Sequence, residues 1–300
     1  METISIIVPV YNGELYIEEF LDSIVRQTYR PLEVLIRDDA SRDNSVHICE
    51  KWKENNASDD LEVRILKNES RQGLPMNVSL LLRDAKGSLI LLADQDDVWN
   101  EKKVEVQAMY MMEHPDCALC CSDRSVTDEN LKVYIPSEFT YRGYKKNSMR
   151  FVDVIKHRGC YAANTMMVRN YGPEVFDIPA DVVCHDYFLS ILASTKGSVD
   201  YIFQPLLFYR IHGKNLSTNF KAEVSKNVFQ LFMRRYQSYY LGRDAKNNDG
   251  LIIERELQKR FGLHLNDFEN CVLNTSRRTV IDVLRATIDD YKQKKIGAWL

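Results

Sequence analysis

Acidic residues cluster directly after two apolar segments of the chain. Asp38 and Asp39 follow Leu32–Arg37, and the run DQDDVW, residues 94–99, follows Leu89–Ala93. Like charges packed together raise each other's pKa unless a cation or hydrogen-bond donors offset them. A divalent cation is the simplest offset, and Mg²⁺ or Mn²⁺ completes its coordination shell with water and phosphate oxygens. The pattern therefore predicts a metal site suited to a nucleoside diphosphate.

The segments around these acids alternate between strand and helix patterns. Strands are predicted at Ile4–Val10, Leu32–Arg37, Val63–Leu66 and Leu89–Ala93, and helices at Asn44–Lys53 and Met76–Ala85. Asn12 can cap a further helix, whose apolar stripe comprises Leu15, Ile17, Phe20, Leu21, Ile24 and Val25. Such alternation is typical of a doubly wound parallel sheet. Ligands bind at the carboxyl ends of its strands, where the acidic residues fall.

The rest of the chain is less regular. Helices are predicted at Glu101–Glu113, Phe151–Lys156 and Asp186–Thr195, strands at Ala118–Ser122, Thr165–Val168, Val199–Phe203 and Leu206–Arg210, and a loop around Tyr134–Lys146. From about residue 222 onward the pattern is almost wholly helical. This change of pattern predicts a main α/β domain at residues 1–217 and a helical C-terminal region at residues 218–300.

The composition argues against several functional classes. The formal net charge is −3, so no overall basic field favours nucleic acid. Seven cysteines, an odd number in a long chain, favour a reducing cytoplasm. Cys117, Cys120 and Cys121 lack a second pair at zinc spacing and are interpreted as buried strand thiols. No leader pattern and no window near the ~20 apolar residues of a membrane span is found.

The turn after the first strand argues against dinucleotide binding. Tyr11 and Asn12 occupy it, and no GxGxxG sequence follows the strand. A dinucleotide-binding fingerprint requires those glycines, so a dehydrogenase is not expected.

Four segments in this order resemble the family 2 glycosyltransferases of GT-A fold, and more narrowly the rhamnosyltransferase-like members that carry DQDD. They are SIIVPVYNGELYIEEFLDSIVRQTY, EVLIRDDAS, DQDDVW and HDYFLSILA. The resemblance covers about Ile4 to Asn215. It implies an inverting enzyme with a Rossmann-like, mostly parallel central sheet flanked by helices. Residues 1–99 would form the nucleotide-sugar-binding half and residues 100–217 the acceptor-binding half.

The resemblance also implies roles for donor-side residues. Tyr11 matches the residue whose ring stacks near the base, and Asp39 matches the carboxylate that accepts from the base edge. Asp94 matches the first acid of the family's DxD motif, which faces the ribose, and Asp96 matches the second, which binds Mn²⁺ or Mg²⁺. Further donor contacts are implied for Pro9, Asn12, Arg71, Asn77 and Gln95. Pro75 is less usual in the donor loop and puts that loop's shape in doubt.

On the acceptor side, Asp186 matches the family's catalytic base, which takes the proton of the acceptor hydroxyl. His212 is expected to ligate the metal or the diphosphate. Supporting roles are expected for Asp97, Trp99, His185, Arg210 and Lys214. The family more often has tryptophan after this aspartate, so Tyr187 is a departure that bears on acceptor fit.

The implied donor is dTDP-rhamnose or a UDP-sugar, and the implied acceptor is a saccharide or a lipid-linked saccharide of a bacterial surface polysaccharide. The expected location is the cytoplasm, including the inner face of the membrane. Residues 221–246 hold six basic and two acidic residues among aromatic ones. They could touch an anionic membrane. The alternative is a helix face docked on the main domain or on a second subunit, as in a homodimer.

Plainer interpretations stay open for each residue. Asp38 and Asp39 could be turn and cap residues, DQDDVW a solvated loop, Asp186 an N-cap, His212 an ordinary histidine and Tyr11 a packing residue. Two other functions also compete. A sugar-nucleotide pyrophosphorylase usually opens with a glycine- and basic-rich loop, which VPVYNGELY lacks. A non-catalytic nucleotide-binding module could keep the same fold without a working base.

Overall fold

The computed structural model describes residues 2–144, 148–149, 154, 162–173, 175–179, 182, 185–213, 215 and 259. The chain divides into two compact units, residues 1–210 and residues 211–300. The predicted C-terminal helices and the predicted helix at 151–156 fall almost wholly outside the described residues. Among the residues that are described, no helix combines the length and apolar character needed to cross a bilayer.

The first half of the sheet is parallel, as the alternating pattern predicts. It contains β1 (Ile4–Val10), β2 (Leu32–Asp38), β3 (Leu61–Lys67) and β4 (Leu89–Leu92), in the order β3-β2-β1-β4. Three helices connect these strands: α1 (Ile17–Val25), α2 (Ser45–Asn56) and α3 (Leu74–Asp84). All seven residues of β1 are buried, because helices cover both faces of a parallel sheet.

The start of α1 differs from the prediction. The helix begins at Ile17 with Tyr16 at the N-cap, so Asn12 does not cap it. Leu15 lies before the helix and is 62% exposed, so it does not belong to the apolar stripe. The backbone of Asn12 has φ 48°, and its side chain accepts from Arg42 N at 2.9 Å. Because the Asn12 side chain bonds to a neighbouring loop, the α1 N-terminus lies farther along the chain.

The second half of the sheet mixes strand directions. Its strands are β5 (Val98–Trp99), β6 (Cys117–Thr127), β7 (Val133–Ile135), β8 (Ser148–Met149), β9 (Met166–Arg169) and β10 (Ser198–Arg210). Its helices are α4 (Lys103–Glu113), α5 (Glu138–Arg142) and α6 (His185–Ser194). The sheet continues from β4 through β9, β6 and β10 to β5. β9 runs antiparallel to both β4 and β6, whereas β6 and β10 are parallel.

Two predictions for this half are wrong in detail. The segment expected to be a loop around residues 134–146 contains part of β7 and all of α5. The two strands expected at 199–203 and 206–210 form the single strand β10, whose register against β6 shifts on either side of Pro205. Proline lacks the N–H that a regular ladder needs, so the irregularity falls there.

The three strand cysteines are buried thiols, as predicted. Cys117, Cys120 and Cys121 lie in β6, are at most 1% exposed and are free. Burial raises the pKa of all three thiols, which keeps them protonated at neutral pH.

The sheet opens between β1 and β4. The last hydrogen bond between these strands runs from Ala93 N to Ile7 O at 3.1 Å, although β1 continues to Val10. On its other side, β1 still bonds to the chain after β2, through Asp39 N and Val10 O at 2.8 Å. Beyond this bond the two strands no longer pair, and the opening at their carboxyl ends is called the β1–β4 crevice; ligands of open α/β folds bind at such strand ends. This architecture confirms the predicted α/β class with a central sheet flanked by helices.

Candidate donor and metal site

The acids of the DQDD run converge at this crevice. One carboxylate oxygen from each of Asp94, Asp96 and Asp97 lies within 4.8 Å of the other two. The three residues occupy the turn between β4 and β5, at the carboxyl end of a buried strand. Hard oxygen ligands at this spacing suit Mg²⁺ or Mn²⁺, so the residues present could hold either cation.

The electrostatics of these acids call for a positive charge. Burial, followed by the charge of Asp96, raises the pKa of the Asp94 carboxyl to about 7, and Arg124 opposes the shift. Burial also raises the pKa of Asp97 well above its ordinary value, with Asp96 and Asp94 adding to the effect. A bound cation would favour the ionised forms and remove this mutual repulsion.

Asp97 is anchored by side chains that sequence reasoning missed. It is fully buried and accepts hydrogen bonds from Asn164 Nδ2 and, at 3.2 Å, from Arg210 N. Asn164 Oδ1 in turn accepts from Arg124 Nη1 at 3.2 Å. Arg124 also pairs with Glu138 and lies over the Tyr209 ring at 4.1 Å. No local motif marks Asn164 or Arg124, because only the pairing of distant strands brings them to the acids.

Arg210 supports the acidic turn through its backbone and its side chain. Its Nε donates to the backbone carbonyl of Asp96 at 2.9 Å, and its other guanidinium nitrogens donate to Glu129 O and to the Glu19 carboxylate. The guanidinium lies 4.7 Å from the centre of the Tyr16 ring. These contacts join Arg210 to the backbone of the DQDD turn, and its supporting role in binding the metal or diphosphate stays a prediction.

Trp99 is a second support beneath the turn. Its ring is 3% exposed and meets Phe20 edge to face at 5.5 Å. The ammonium of Lys103, itself fully buried, lies 5.0 Å from the Trp99 ring centre. These contacts hold Trp99 in place, and with it β5, the short strand that follows the acids.

The fold brings two predicted donor residues together on the β1 side. The Arg71 guanidinium stacks over the Tyr11 ring at 4.1 Å, although Arg71 belongs to the loop before α3. Asp39 binds the same loop: its carboxylate accepts from Gln72 N at 2.7 Å, Gly73 N at 2.8 Å and Asn68 Nδ2 at 2.9 Å. Asp39 is 3% exposed, so in this structure its carboxylate organises the loop.

Other predicted donor contacts occupy inner positions. Asn77 is 1% exposed, donates to Arg37 O at 2.9 Å and accepts from Asn68 at 3.1 Å. Pro9 is buried within β1. Asp38 is 5% exposed and accepts from Ser41 N at 3.0 Å, which is the turn-residue role left open from the sequence.

Asp186 lies in the first turn of α6, one residue after the helix begins at His185, and therefore is not its N-cap. Its Oδ1 accepts from Tyr187 N at 2.7 Å. Its negative charge adds, after larger effects of burial and of other charges, to the raised pKa of Asp94 and of Cys121. His185 is 9% exposed, and burial lowers the pKa of its ring.

Two predicted site residues fall beyond the first unit. His212 belongs to the second unit, where its backbone N–H donates to Asn215 Oδ1. Lys214 lies outside the described residues. The proposed roles of both residues in binding the metal or diphosphate remain predictions.

Comparison with known proteins identifies the family. The family described as Glycosyl transferase family 2 matches residues 5–172, more than half of the chain. The chain belongs to this family. The match extends from β1 past β9 and includes all three acids of the DQDD turn.

Two relatives illustrate the breadth of family 2. The dTDP-rhamnosyl transferase RfbG of Shigella flexneri is 28% identical over 236 residues, which cover 72% of this chain and 76% of RfbG. An uncharacterized protein of Mycobacterium tuberculosis is 28% identical over 215 residues, which cover 71% of this chain. The chain spans only 60% of the length of that mycobacterial relative.

A solved structure shares the fold of this chain. TarS of Staphylococcus aureus, residues 1–349 in complex with UDP-GlcNAc, superposes with a TM-score of 0.58 at 19% identity. The superposition covers 97% of this chain and 92% of that one. At this identity the similarity supports the GT-A-like fold and leaves the ligands of this chain to be argued from its own residues.

Proposed function

We propose that this family 2 member is a metal-dependent, inverting glycosyltransferase that moves a sugar from a nucleoside diphosphate to a saccharide or lipid-linked acceptor. One observation carries the proposal: one carboxylate oxygen from each of Asp94, Asp96 and Asp97 lies within 4.8 Å of the other two at the β1–β4 crevice. Such a convergence of acids is expected where a cation, a diphosphate and a reacting alcohol must share one cleft.

The nucleotide would lie along the carboxyl ends of β1 and β2. Tyr11 offers its ring to the base, and Asp39 has one oxygen with a single described hydrogen bond, from Gly73 N. Arg71 already lies beside the Tyr11 ring and supplies a positive charge near the entering nucleotide. Asp94 faces the ribose in this arrangement, and Gln95 and Asn12 shape the turns around it.

Asp96, with Asp94 and Asp97, would hold the metal ion at the diphosphate. A bound Mn²⁺ or Mg²⁺ would supply Lewis-acid stabilisation of the charge that develops on the leaving diphosphate. Asn164 and the Arg210 backbone keep Asp97 oriented, which pre-forms the ligand set before nucleotide arrives. A role of His212 in ligating the metal or the diphosphate stays a prediction from the resemblance.

Asp186 would act as the single base of an inverting displacement. The acceptor hydroxyl oxygen forms a bond to the anomeric carbon, the bond from that carbon to the diphosphate oxygen breaks, and the hydroxyl proton moves to the Asp186 carboxylate. Only one base is needed because the leaving diphosphate departs from the opposite face of the sugar. The buried His185 and Tyr187 on either side would limit water around this carboxylate.

Two donors follow from the relatives. RfbG is described as a dTDP-rhamnosyl transferase, and the TarS structure contains UDP-GlcNAc. We therefore propose dTDP-rhamnose or a UDP-sugar as donor and a bacterial surface glycan as product. A cytoplasmic location at the inner membrane face, with membrane or homodimer contacts through residues 218–300, remains a prediction about residues that the structure leaves almost wholly undescribed.

A thermal-shift screen of UDP, dTDP, UDP-sugars and dTDP-rhamnose, each with and without Mn²⁺, tests the proposal. A ligand that binds only the folded state raises the melting temperature by mass action. The expected result is stabilisation by one nucleotide class that depends on Mn²⁺, followed by donor turnover when saccharide acceptors are added. A response without metal dependence, or no response to any nucleotide, would contradict it. Nucleotide binding without sugar transfer to any acceptor would favour the non-catalytic module.

A further inference from the structure

The side chain of Gln95 forms a two-point contact with the backbone of Tyr11. Gln95 Oε1 accepts from Tyr11 N at 3.0 Å, and Gln95 Nε2 donates to Tyr11 O at 3.0 Å. A peptide N–H can only donate and a peptide carbonyl can only accept, so this pairing fixes the orientation of the amide. The contact joins the turn after β1 to the acidic turn after β4.

This contact lies where the sheet has stopped holding the two turns together. The β1–β4 ladder ends at Ile7 and Ala93, and Tyr11 on the β4 side would otherwise have no strand to pair with. The Gln95 amide takes the place of the missing strand and spans the crevice at its base. The distance between the Tyr11 backbone and the acids is thereby set by one side chain.

Gly13 is the residue that makes room for this amide. A Cβ added at Gly13 would lie 2.3 Å from Gln95 Oε1 and 2.6 Å from Gln95 Cδ. Gly13 is buried, and its N–H donates to Ser45 Oγ at 2.7 Å, which holds its backbone against the chain after β2. A methyl group at this position would displace the end of the flexible Gln95 side chain more easily than the backbone.

We infer that Gln95 is a positioning residue that acts through Tyr11: it sets the register between the base-stacking ring and the metal-binding acids, and Gly13 permits it to do so. The inference rests on the proposed function, since it assigns the register a use in binding a nucleoside diphosphate. The backbone of Gln95 follows Asp94, one of the acids at the diphosphate end of that ligand. Its side-chain amide holds Tyr11, whose ring lies at the base end, so one residue links the two ends.

Two variants break the contact by different routes. Gln95→Met keeps the volume of the side chain and removes both hydrogen bonds, whereas Gly13→Ala leaves Gln95 in the chain and displaces its amide. Both variants are expected to bind UDP or dTDP with Mn²⁺, whichever the unmodified protein binds better, about tenfold more weakly. The double variant should be no weaker than Gln95→Met alone, because the two changes remove the same contact.

Inorganic pyrophosphate with Mn²⁺ separates positioning from general damage to the site. Pyrophosphate reaches the acids without using the Tyr11 ring, so both variants should bind it within about twofold of the unmodified protein. An equal loss for pyrophosphate and nucleotide would overturn the inference. Weakening by Gln95→Met but not by Gly13→Ala would also overturn it, because the amide would then contact the ligand directly.

Amide hydrogen exchange tests the contact without any ligand. The Tyr11 N–H should exchange faster in both variants than in the unmodified protein, and unchanged exchange in both would refute the contact itself. If the unmodified protein bound neither nucleotide, the proposed function would fail and the inferred use of the contact with it. If the unmodified protein bound nucleotide and the variants bound it equally well, only the inference about Gln95 would fail.

Discussion

The two halves of the sheet position their site residues in different ways. In the β1–β4 half, the acids and Tyr11 directly follow buried parallel strands, so the direction and spacing of those strands bring them to one edge. In the β5–β10 half, strand directions are mixed, and buried side chains such as Asn164 and Arg210 reach across to the acidic turn. The regular backbone of parallel strands therefore positions the site residues of the β1–β4 half. Individual side-chain contacts position those of the β5–β10 half.

This difference implies a division of labour. Residues at the ends of β1 and β2 face the nucleotide in our proposal, whereas Asp186 faces the acceptor. Substitutions in the first half should chiefly change nucleotide affinity, and those in the second half should chiefly change turnover or stability. The following substitutions test whether changes in the first half alter nucleotide affinity and changes in the second half alter turnover or stability.

Asp186→Asn should have the largest effect, on turnover alone. An amide cannot take the proton of the acceptor hydroxyl, so transfer should fall by about 10²–10⁴-fold. Nucleotide affinity should stay close to that of the unmodified protein, as measured by calorimetry beside a transfer assay. Asp59→Asn, at an exposed residue, serves as the matched control. Full transfer activity in Asp186→Asn would remove Asp186 from the mechanism.

Arg210→Met should be the most destabilising of these changes. The side chain of Arg210 is 4% exposed, and its loss would remove its part-buried hydrogen bonds to the backbone carbonyl groups of Asp96 and Glu129. Loss of hydrogen bonds from a charged donor costs about 1.5–3 kcal/mol in free energy of unfolding. Urea denaturation gives the measurement.

Arg83→Met provides the control for Arg210→Met. Arg83 pairs with Asp177, but both side chains are 45% exposed. Exposed pairs contribute about 0–1 kcal/mol, so this variant should be nearly as stable as the unmodified protein. If both variants lost a similar free energy of unfolding, the side-chain contacts of Arg210 would not be more important for the stability of the second half than an exposed ion pair.

Much of the first half could be predicted from sequence, because period and position carry the information. β1, β2 and the acids after them follow from apolar runs and from the rule that ligands meet strand ends. The contact between Asp39 and the loop at Gln72 and Gly73 could not be predicted, since it joins residues far apart in sequence. The same holds for the contact of Gln95 with Tyr11.

The second half was harder to predict for a physical reason. β6 continues to Thr127 through Asp123 and Arg124, charged residues that end an apolar pattern. Asp123 is buried and Arg124 is half-buried, and both have partners in α5. A polar residue that is satisfied inside the protein looks, in sequence, like a surface residue. The hydrogen bond from Asn164 to Asp97 could not be predicted from sequence for the same reason.

Asn164→Ala should weaken metal binding from the second half. It removes the hydrogen bond from Asn164 Nδ2 that orients Asp97, and loss of such a supporting contact reduces metal affinity by about 10–100-fold. Mn²⁺ titration followed by electron paramagnetic resonance measures the change. Asn170→Ala is the control, because Asn170 bonds to the backbone carbonyls of Ala85 and Gly87. If Asn164→Ala bound Mn²⁺ as tightly as the unmodified protein, Asp97 would not be a ligand of the metal.

Asp39→Asn should have the smallest effect, on nucleotide affinity. An amide in place of the carboxylate would set an NH₂ group against one of the loop N–H donors, Gln72 N or Gly73 N. We expect about tenfold weaker nucleotide binding with an unchanged rate at saturating donor. A fall in that rate with normal affinity would contradict the assignment of Asp39 to the nucleotide side.

The proposed mechanism depends most on a cation shared by the acidic turn and the diphosphate. Crystals grown with Mn²⁺ and the nucleotide that stabilises the protein, measured at a wavelength where manganese scatters anomalously, would locate that cation. We expect one anomalous peak at about 2.0–2.3 Å from a carboxylate oxygen of Asp96, with diphosphate oxygens completing its shell. Nucleotide bound in the crevice with no peak beside Asp94, Asp96 or Asp97, or a diphosphate at another edge of the sheet, would contradict it.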